Sequence, residues 1–122
     1  MLGFTDIYIH PDYTRPAYRR TVSELLQRVM IEALGNCGFG CAPILDAPLA
    51  AASMHGFDGS VPLAWLDVEG YLQRLAAAQP AVNVLRVVPS GQLRRAILGF
   101  ADQTAAPDEL GHVQRLLLKK RL

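Results

Sequence analysis

Two cysteines, Cys37 and Cys41, and a histidine that follows them, His55, are the side chains best suited to chemistry in this 122-residue sequence. Thiolate and imidazole are ligands that zinc prefers, so these three residues together would make a metal site, and the cysteine pair alone would make a redox site. Structural zinc sites use four such ligands, usually in two close pairs, whereas this chain has one loose pair. The spacing therefore favours two small side chains packed in a glycine-rich loop.

A cysteine nucleophile with a histidine base is the catalytic arrangement that the composition allows, with His10 or His55 as the base. Neither cysteine is flanked by the residues of a nucleophile elbow or an oxyanion hole. The glycine-rich run 35–40 also lacks the Gly-Lys-Ser/Thr sequence with which a phosphate-binding loop continues. We therefore expect no enzyme activity and no cofactor.

Basic residues in the last third of the chain are the strongest candidates for function. Residues 74–122 contain eight basic and three acidic side chains, whereas residues 35–73 contain four acidic side chains and no basic one. Opposed segments of this kind suit a protein partner or a second copy of the chain, and the basic side chains suit nucleic-acid phosphates. The candidate residues for binding a partner or a nucleic acid are Arg86, Arg94, Arg95, Lys119, Lys120 and Arg121.

The whole composition limits the class of protein. Hydrophobic residues make up 51% of the sequence, charged residues 19%, and the formal net charge is +1. These values exclude a disordered chain and a uniformly basic nucleic-acid coat protein, and two cysteines exclude a disulfide scaffold. The length predicts one domain, residues 1–122.

The predicted cellular location depends on two kinds of segment, a secretory signal and a membrane span, for which the sequence shows no pattern. Residues 1–10 have no basic segment followed by an apolar run, so they do not form a secretory signal. The longest uncharged run, 33–45, is too short and too rich in glycine to span a membrane. The sequence therefore predicts a cytoplasmic protein, and its excess of arginine over lysine suggests a bacterial one.

Residues 1–78 predict an extended arm or strand and three helices. Residues 3–9 alternate in the way of a strand. Apolar residues at helical spacing predict a helix over 15–34, with Gly35 ending it. Asp46 and Pro48 predict the start of a short helix over 47–55. The next helix begins at Ser60 or Asp67, and so covers 61–78 or 68–78.

The C-terminal half predicts a strand, a turn and a closing helix. The β-branched run 82–88 is typical of a strand. The segment 93–101 fits either a strand or a helix, and we favour a hairpin over 82–101 because an isolated strand needs a partner. Pro107, acidic residues after it and basic residues at 119–121 predict a helix over 107–121.

These elements predict an α+β domain of three to four helices with a β-hairpin in its C-terminal half. Their order resembles that of winged helix-turn-helix proteins, an analogy that rests on element order alone. The acidic Asp67 and Glu69 on the would-be recognition helix weigh against entry into a DNA groove. We therefore predict a non-catalytic interaction or regulatory module, with a homodimer as one form. A winged-helix nucleic-acid binder is the first alternative, and a metal- or redox-responsive protein is the second.

Overall fold

A computed structural model describes residues 3–118 of the chain. Within that range the structure has three strands, five α-helices and one short 3-10 turn. In chain order they are β1 (Phe4–Asp6), α1 (Val22–Leu26), β2 (Val29–Leu34), the 3-10 turn (Asn36–Gly38), α2 (Ala47–Ser53), α3 (Val68–Ala78), β3 (Asn83–Arg86), α4 (Ser90–Leu98) and α5 (Pro107–Leu118).

The three strands form one parallel sheet in the order β1-β2-β3. Thr5 pairs with Ile31 on one side of β2, and Ile31 pairs with Asn83 on the other. Parallel neighbours need crossover connections, and here α1 connects β1 to β2 while α2 and α3 connect β2 to β3. The carboxyl ends of all three strands consequently lie at one edge of the sheet.

The predicted helix over 15–34 is wrong for most of its length. The helix covers only Val22–Leu26, and the chain then turns through Arg28, whose φ is 63°, into the central strand β2. The apolar spacing is compatible with a helix, but residues 29–34 pair with strands on both sides. Tertiary strand pairing thus overrides a local helical pattern. Gly35 follows the strand instead of capping a helix.

The predicted hairpin over 82–101 does not form either. Residues 83–86 are a strand, but their partner is β2, reached through the long crossover that contains α2 and α3. The strand therefore needs no neighbour from the segment after it, and 90–98 folds as α4, the helical alternative for that segment.

Helices α2 and α3 lie where local signals place them, within 47–55 and at 68–78. The Asp46 carboxylate accepts a hydrogen bond from the Leu49 amide at 2.7 Å, and the Asp67 carboxylate accepts one from the Gly70 amide at 2.8 Å. Such caps satisfy backbone donors that have no partner inside the helix.

The largest group of buried apolar residues lies between the sheet and the crossover after β2. Trp65 and Tyr71 pack together there, with ring centroids 5.3 Å apart, beside Leu34 from β2. Two buried hydroxyls tie this core to the segment after β1: the Tyr13 hydroxyl donates to the Val61 carbonyl, and the Tyr71 hydroxyl donates to the Asp12 carbonyl.

No helix within residues 3–118 has both the length and the apolar composition of a membrane span.

Two glycines in helices provide a matched test of the packing between α4 and the 3-10 turn. A Cβ at Gly91 would lie 2.6 Å from the Gly38 carbonyl oxygen, whereas a Cβ at Gly111 would meet only the end of the Arg115 side chain, at 3.5 Å. We expect Gly91→Ala to lower the free energy of unfolding by about 1–3 kcal/mol. Gly111→Ala should raise it by about 0.5–1 kcal/mol, because alanine is the better helix former. Urea denaturation measures both, and equal effects would contradict the close approach.

Candidate functional site

Polar and aromatic side chains gather where the three strands end. His10 and Asp12 follow β1, Cys37 and Phe39 follow β2, and Arg86 is the last residue of β3. In parallel α/β sheets this edge is where ligands bind, since the loops there are free to carry functional groups. We call the set of these residues together with Tyr8, His55 and Arg95 the strand-end cluster.

Four rings form the outer part of the strand-end cluster. The His10 ring centroid lies 5.7 Å from that of Tyr8, 5.7 Å from that of Phe39 and 5.4 Å from that of His55. Phe39 and His55 are 6.0 Å apart. The Arg95 guanidinium carbon lies 5.4 Å from the Phe39 ring centroid, and its Nη2 donates to the Gly38 carbonyl at 2.7 Å. Distant parts of the chain thus converge on one aromatic surface.

Cys37 lies at the edge of this surface with its thiol exposed. Its backbone φ of 54° is in the left-handed region, which non-glycine residues seldom adopt and which is common at functional sites. Interaction with the Cys37 side chain, chiefly hydrogen bonding, raises the pKa of the Tyr8 hydroxyl. Cys37 is therefore an accessible soft ligand or nucleophile beside a phenol.

Asp12 and Arg86 form the buried part of the strand-end cluster. Neither Asp12 carboxylate oxygen accepts a well-formed hydrogen bond in the described structure, and Arg86 Nε and Nη1 are also without partners there. Burial raises the pKa of Asp12 to about 6, although Arg86, nearby backbone amides and His10 favour the charged form. Arg86 is held by the Ala42 carbonyl at 3.0 Å and stacks 5.1 Å from the Tyr71 ring centroid.

Cys41 does not share the environment of Cys37. Its side chain is in the core, its carbonyl accepts a hydrogen bond from the Trp65 indole at 2.7 Å, and burial raises the pKa of its thiol. Cys37 and His55 are exposed, so the predicted site of Cys37, Cys41 and His55 has one member that solvent does not reach. Within residues 3–118 no three histidine, cysteine or acidic side chains are placed to hold a metal ion.

The predicted basic residues are spread over several places. Arg86 and Arg95 belong to the strand-end cluster, whereas Arg94 lies in α4 and donates to the Ala101 and Gln103 carbonyls, both at 2.8 Å. All three thus form internal contacts. Lys119, Lys120 and Arg121 lie outside the described residues. A partner-binding role for these residues and a homodimer stay predictions.

Sequence reasoning named five of the eight residues of the strand-end cluster, but as separate candidates and not as one site. It did not select Tyr8, Asp12 or Phe39. The segment His10-Pro11-Asp12-Tyr13 reads as a turn, and Phe39 reads as part of a permissive loop. The available signal was the position of His10 and Asp12 just after a predicted strand. This position indicates a site only when the neighbouring strands are known to be parallel, because the segments that follow them then lie at the same edge of the sheet.

Comparison with known proteins yields enzymes that are several times longer than this chain. No protein-family model matches the chain. The D-aminoacylase of Alcaligenes xylosoxydans xylosoxydans is 29% identical over 115 residues, which make up 93% of this chain and 23% of that protein. The chain thus spans about a quarter of the length of this relative.

Two solved structures show the same similarity in three dimensions. A crystal structure of D-aminoacylase, described as defining a novel subset of amidohydrolases, matches with a TM-score of 0.77 and 30% identity over 93% of this chain and 24% of that one. N-acyl-D-glutamate deacylase from Bordetella bronchiseptica, complexed with zinc and a phosphonate mimic of the tetrahedral intermediate, matches with a TM-score of 0.75 and 25% identity. That match covers 96% of this chain and 24% of the deacylase.

These similarities correct the functional prediction. The relatives are hydrolases, so the prediction of a non-catalytic interaction or regulatory module is wrong, as is the prediction of no enzyme activity. The same similarities contradict the two alternative predictions, a winged-helix nucleic-acid binder and a metal- or redox-responsive protein. The prediction failed because it required a recognised motif beside each candidate group, whereas parallel strands bring together groups from separate loops that carry no common motif.

Proposed function

We propose that this chain takes part in the hydrolysis of N-acyl-D-amino acids, in an enzyme similar to D-aminoacylase. The observation that best supports this is the combined similarity in sequence and fold to D-aminoacylase over 93% of the chain. The reaction adds water to the amide, breaks its C–N bond, and releases a carboxylate and a free amine. A cytosolic location remains part of the proposal, in agreement with the free thiols of Cys37 and Cys41.

Two side chains of the strand-end cluster are of types that bind zinc. Cys37 and His55 offer an exposed thiol and an exposed imidazole, which are ligand types that zinc takes. They do not make a complete set within the described residues. We propose Cys37 and His55 as the ligands that this chain contributes. A zinc ion bound there would act as a Lewis acid toward the amide carbonyl.

The other residues of the strand-end cluster have roles that do not depend on a metal. The rings of His10 and Phe39 provide an apolar surface against which the acyl group packs, and this packing keeps water from that side of the amide. Arg95 is fixed by the Gly38 carbonyl and so holds a positive charge beside the Phe39 ring. Its charge favours a substrate that carries a carboxylate, as an N-acyl-amino acid does.

Activity measurements on two cysteine variants test this proposal. We expect an enzyme that contains this chain, supplied with zinc, to release free amine from N-acetyl-D-glutamate and other N-acetyl-D-amino acids faster than from their L-enantiomers. Cys37→Ala should lower kcat/KM at least about tenfold. Cys41→Ala makes the same chemical change in the core and should leave kcat/KM near that of the wild type.

Two results would count against the proposal in different ways. If that enzyme, with zinc and with the wild-type sequence of this chain, releases no amine from any of these compounds, the proposed hydrolysis is wrong. If Cys37→Ala and Cys41→Ala retain equal activity, the hydrolysis stands and the role of Cys37 does not.

A further inference from the structure

A second candidate site lies in the segment between β1 and α1. Eleven residues between Pro11 and Glu24 line a cavity of about 560 Å³ that is open to solvent and shares no lining residue with the strand-end cluster. The lining is rich in guanidinium and hydroxyl groups. They belong to Thr14, Arg15, Tyr18, Arg19, Arg20, Thr21 and Ser23.

Two of the lining residues have buried polar atoms without a partner in the described structure. Arg15 is 3% exposed and Thr21 is 5% exposed, and both Arg15 Nε and Thr21 Oγ1 lack a hydrogen bond. Thr21 also has φ 44° and ψ 45°, a left-handed conformation that is strained for a β-branched residue. Unpaired buried groups and backbone strain at one place are typical of functional sites.

The charges around the cavity favour a negative ligand. Arg15 forms ion pairs with Glu32 at 2.6 Å and with Glu24 at 3.4 Å, and these are the ion pairs found within residues 3–118. Arg19 and Arg20 therefore have no carboxylate partner among those residues. Because Arg15 is paired with these two carboxylates, the positive charge left without a partner at the cavity is that of Arg19 and Arg20. The Glu24 carboxylate also accepts a hydrogen bond from the Ser23 hydroxyl at 2.6 Å.

Two hydrogen bonds to backbone carbonyls hold this arrangement in place. The Arg15 Nη1 donates to the Tyr18 carbonyl at 3.2 Å, and the Arg19 carbonyl accepts a hydrogen bond from the Ala81 amide at 2.8 Å. The first contact closes the segment on itself and the second fixes it to the residues before β3. The cavity is thus formed before any ligand arrives.

We propose that this cavity binds an oxyanion, a carboxylate or a phosphate group, through Arg19 and Arg20 with the neighbouring hydroxyls. Guanidinium groups bind both kinds of oxyanion with two parallel hydrogen bonds, and the hydroxyls add single donors. This assignment does not depend on the proposed hydrolysis, because the two sites have no residue in common.

Thermal unfolding in matched salts tests the proposal. Sodium phosphate or sodium acetate at 10 mM is compared with sodium chloride of equal ionic strength. For a Kd of about 1 mM we expect the bound anion to raise Tm by about 3–6 °C. A rise with phosphate alone identifies a phosphate site, and a rise with acetate identifies a carboxylate site.

Two variants distinguish the cavity from general salt effects. Arg19 and Arg20 are exposed, so Arg19→Gln combined with Arg20→Gln should fold and should lose the rise in Tm. Arg74→Gln, at an exposed position on α3, should keep the full rise. An unchanged wild-type Tm in both anions would overturn the proposal, and so would an equal rise in the wild type and in the double variant. Neither result bears on the release of amine from N-acyl-amino acids.

Discussion

Replacing Arg15 with methionine should lower the free energy of unfolding at pH 7 by about 3–5 kcal/mol, the usual cost of removing one partner of a buried ion pair. Arg15 donates to the Glu32 carboxylate at 2.6 Å, and the side chains are 4% and 0% exposed. Glu32 belongs to the central strand β2, so its carboxylate cannot turn toward water without disturbing the sheet. The variant would leave that charge buried and uncompensated.

The pH dependence of this loss identifies its cause. Burial already raises the pKa of Glu32, and Arg15 partly offsets the effect. In Arg15→Met the pKa of Glu32 should rise further. The folded state then binds a proton that the unfolded state has lost, so stability falls as pH rises through that interval. The deficit of the variant should therefore be greatest at neutral pH and should shrink toward pH 4.

A double variant completes the test. Arg15→Met combined with Glu32→Gln removes both charges, and it should recover most of the stability lost in the single variant. Urea denaturation of the wild type, Arg15→Met and the double variant at pH 5 and pH 7 provides the comparison. A loss below about 1 kcal/mol in Arg15→Met, which is typical of a surface ion pair, would contradict a buried role.

Replacing Asp12 with asparagine should stabilise the protein by about 3 kcal/mol at pH 8. The pKa of the Asp12 carboxyl is raised from 3.8 to about 6, because burial disfavours the carboxylate. A carboxyl with a raised pKa in the folded state costs stability once it ionises. This cost is absent below the unfolded pKa and complete above the folded pKa. Asparagine has no charge to bury and avoids it.

The gain from Asp12→Asn should therefore follow pH. Between pH 8 and pH 7 it should be nearly constant, it should fall between pH 6 and pH 4, and it should vanish below pH 4. Thermal or urea unfolding across this range, with chelator present, measures the difference from the wild type. A gain that does not change with pH would show that the substitution acts through packing and not through ionisation.

The cost of burying Asp12 agrees with a functional role for the strand-end cluster. A carboxyl that is buried in the segment after β1 without a well-formed hydrogen bond, beside Arg86, weakens the fold. Perturbed ionisable groups of this kind concentrate at active sites.

Local residues alone determined helices α2 and α3. Asp46 and Asp67 cap them, Pro48 suits the first turn of α2, and Pro80 follows α3 closely. These signals act within a few residues, so their effect is the same whatever surrounds them. The burial of Trp65 in the core likewise agrees with its apolar neighbours in sequence.

Only the tertiary structure decided the state of residues 29–34 and 90–98. Both segments have residues compatible with more than one state, and pairing of β2 with two parallel strands selected a strand for 29–34 and left 90–98 free to be a helix. The same pairing created the strand-end cluster, because it brought His10, Cys37 and Arg86 to one edge of the sheet. Residue types along the chain indicated which chemical groups are available. The parallel direction of the strands determined which of these groups lie together at one edge of the sheet. Strand direction depends on contacts between residues far apart in sequence, so local sequence patterns do not reveal it.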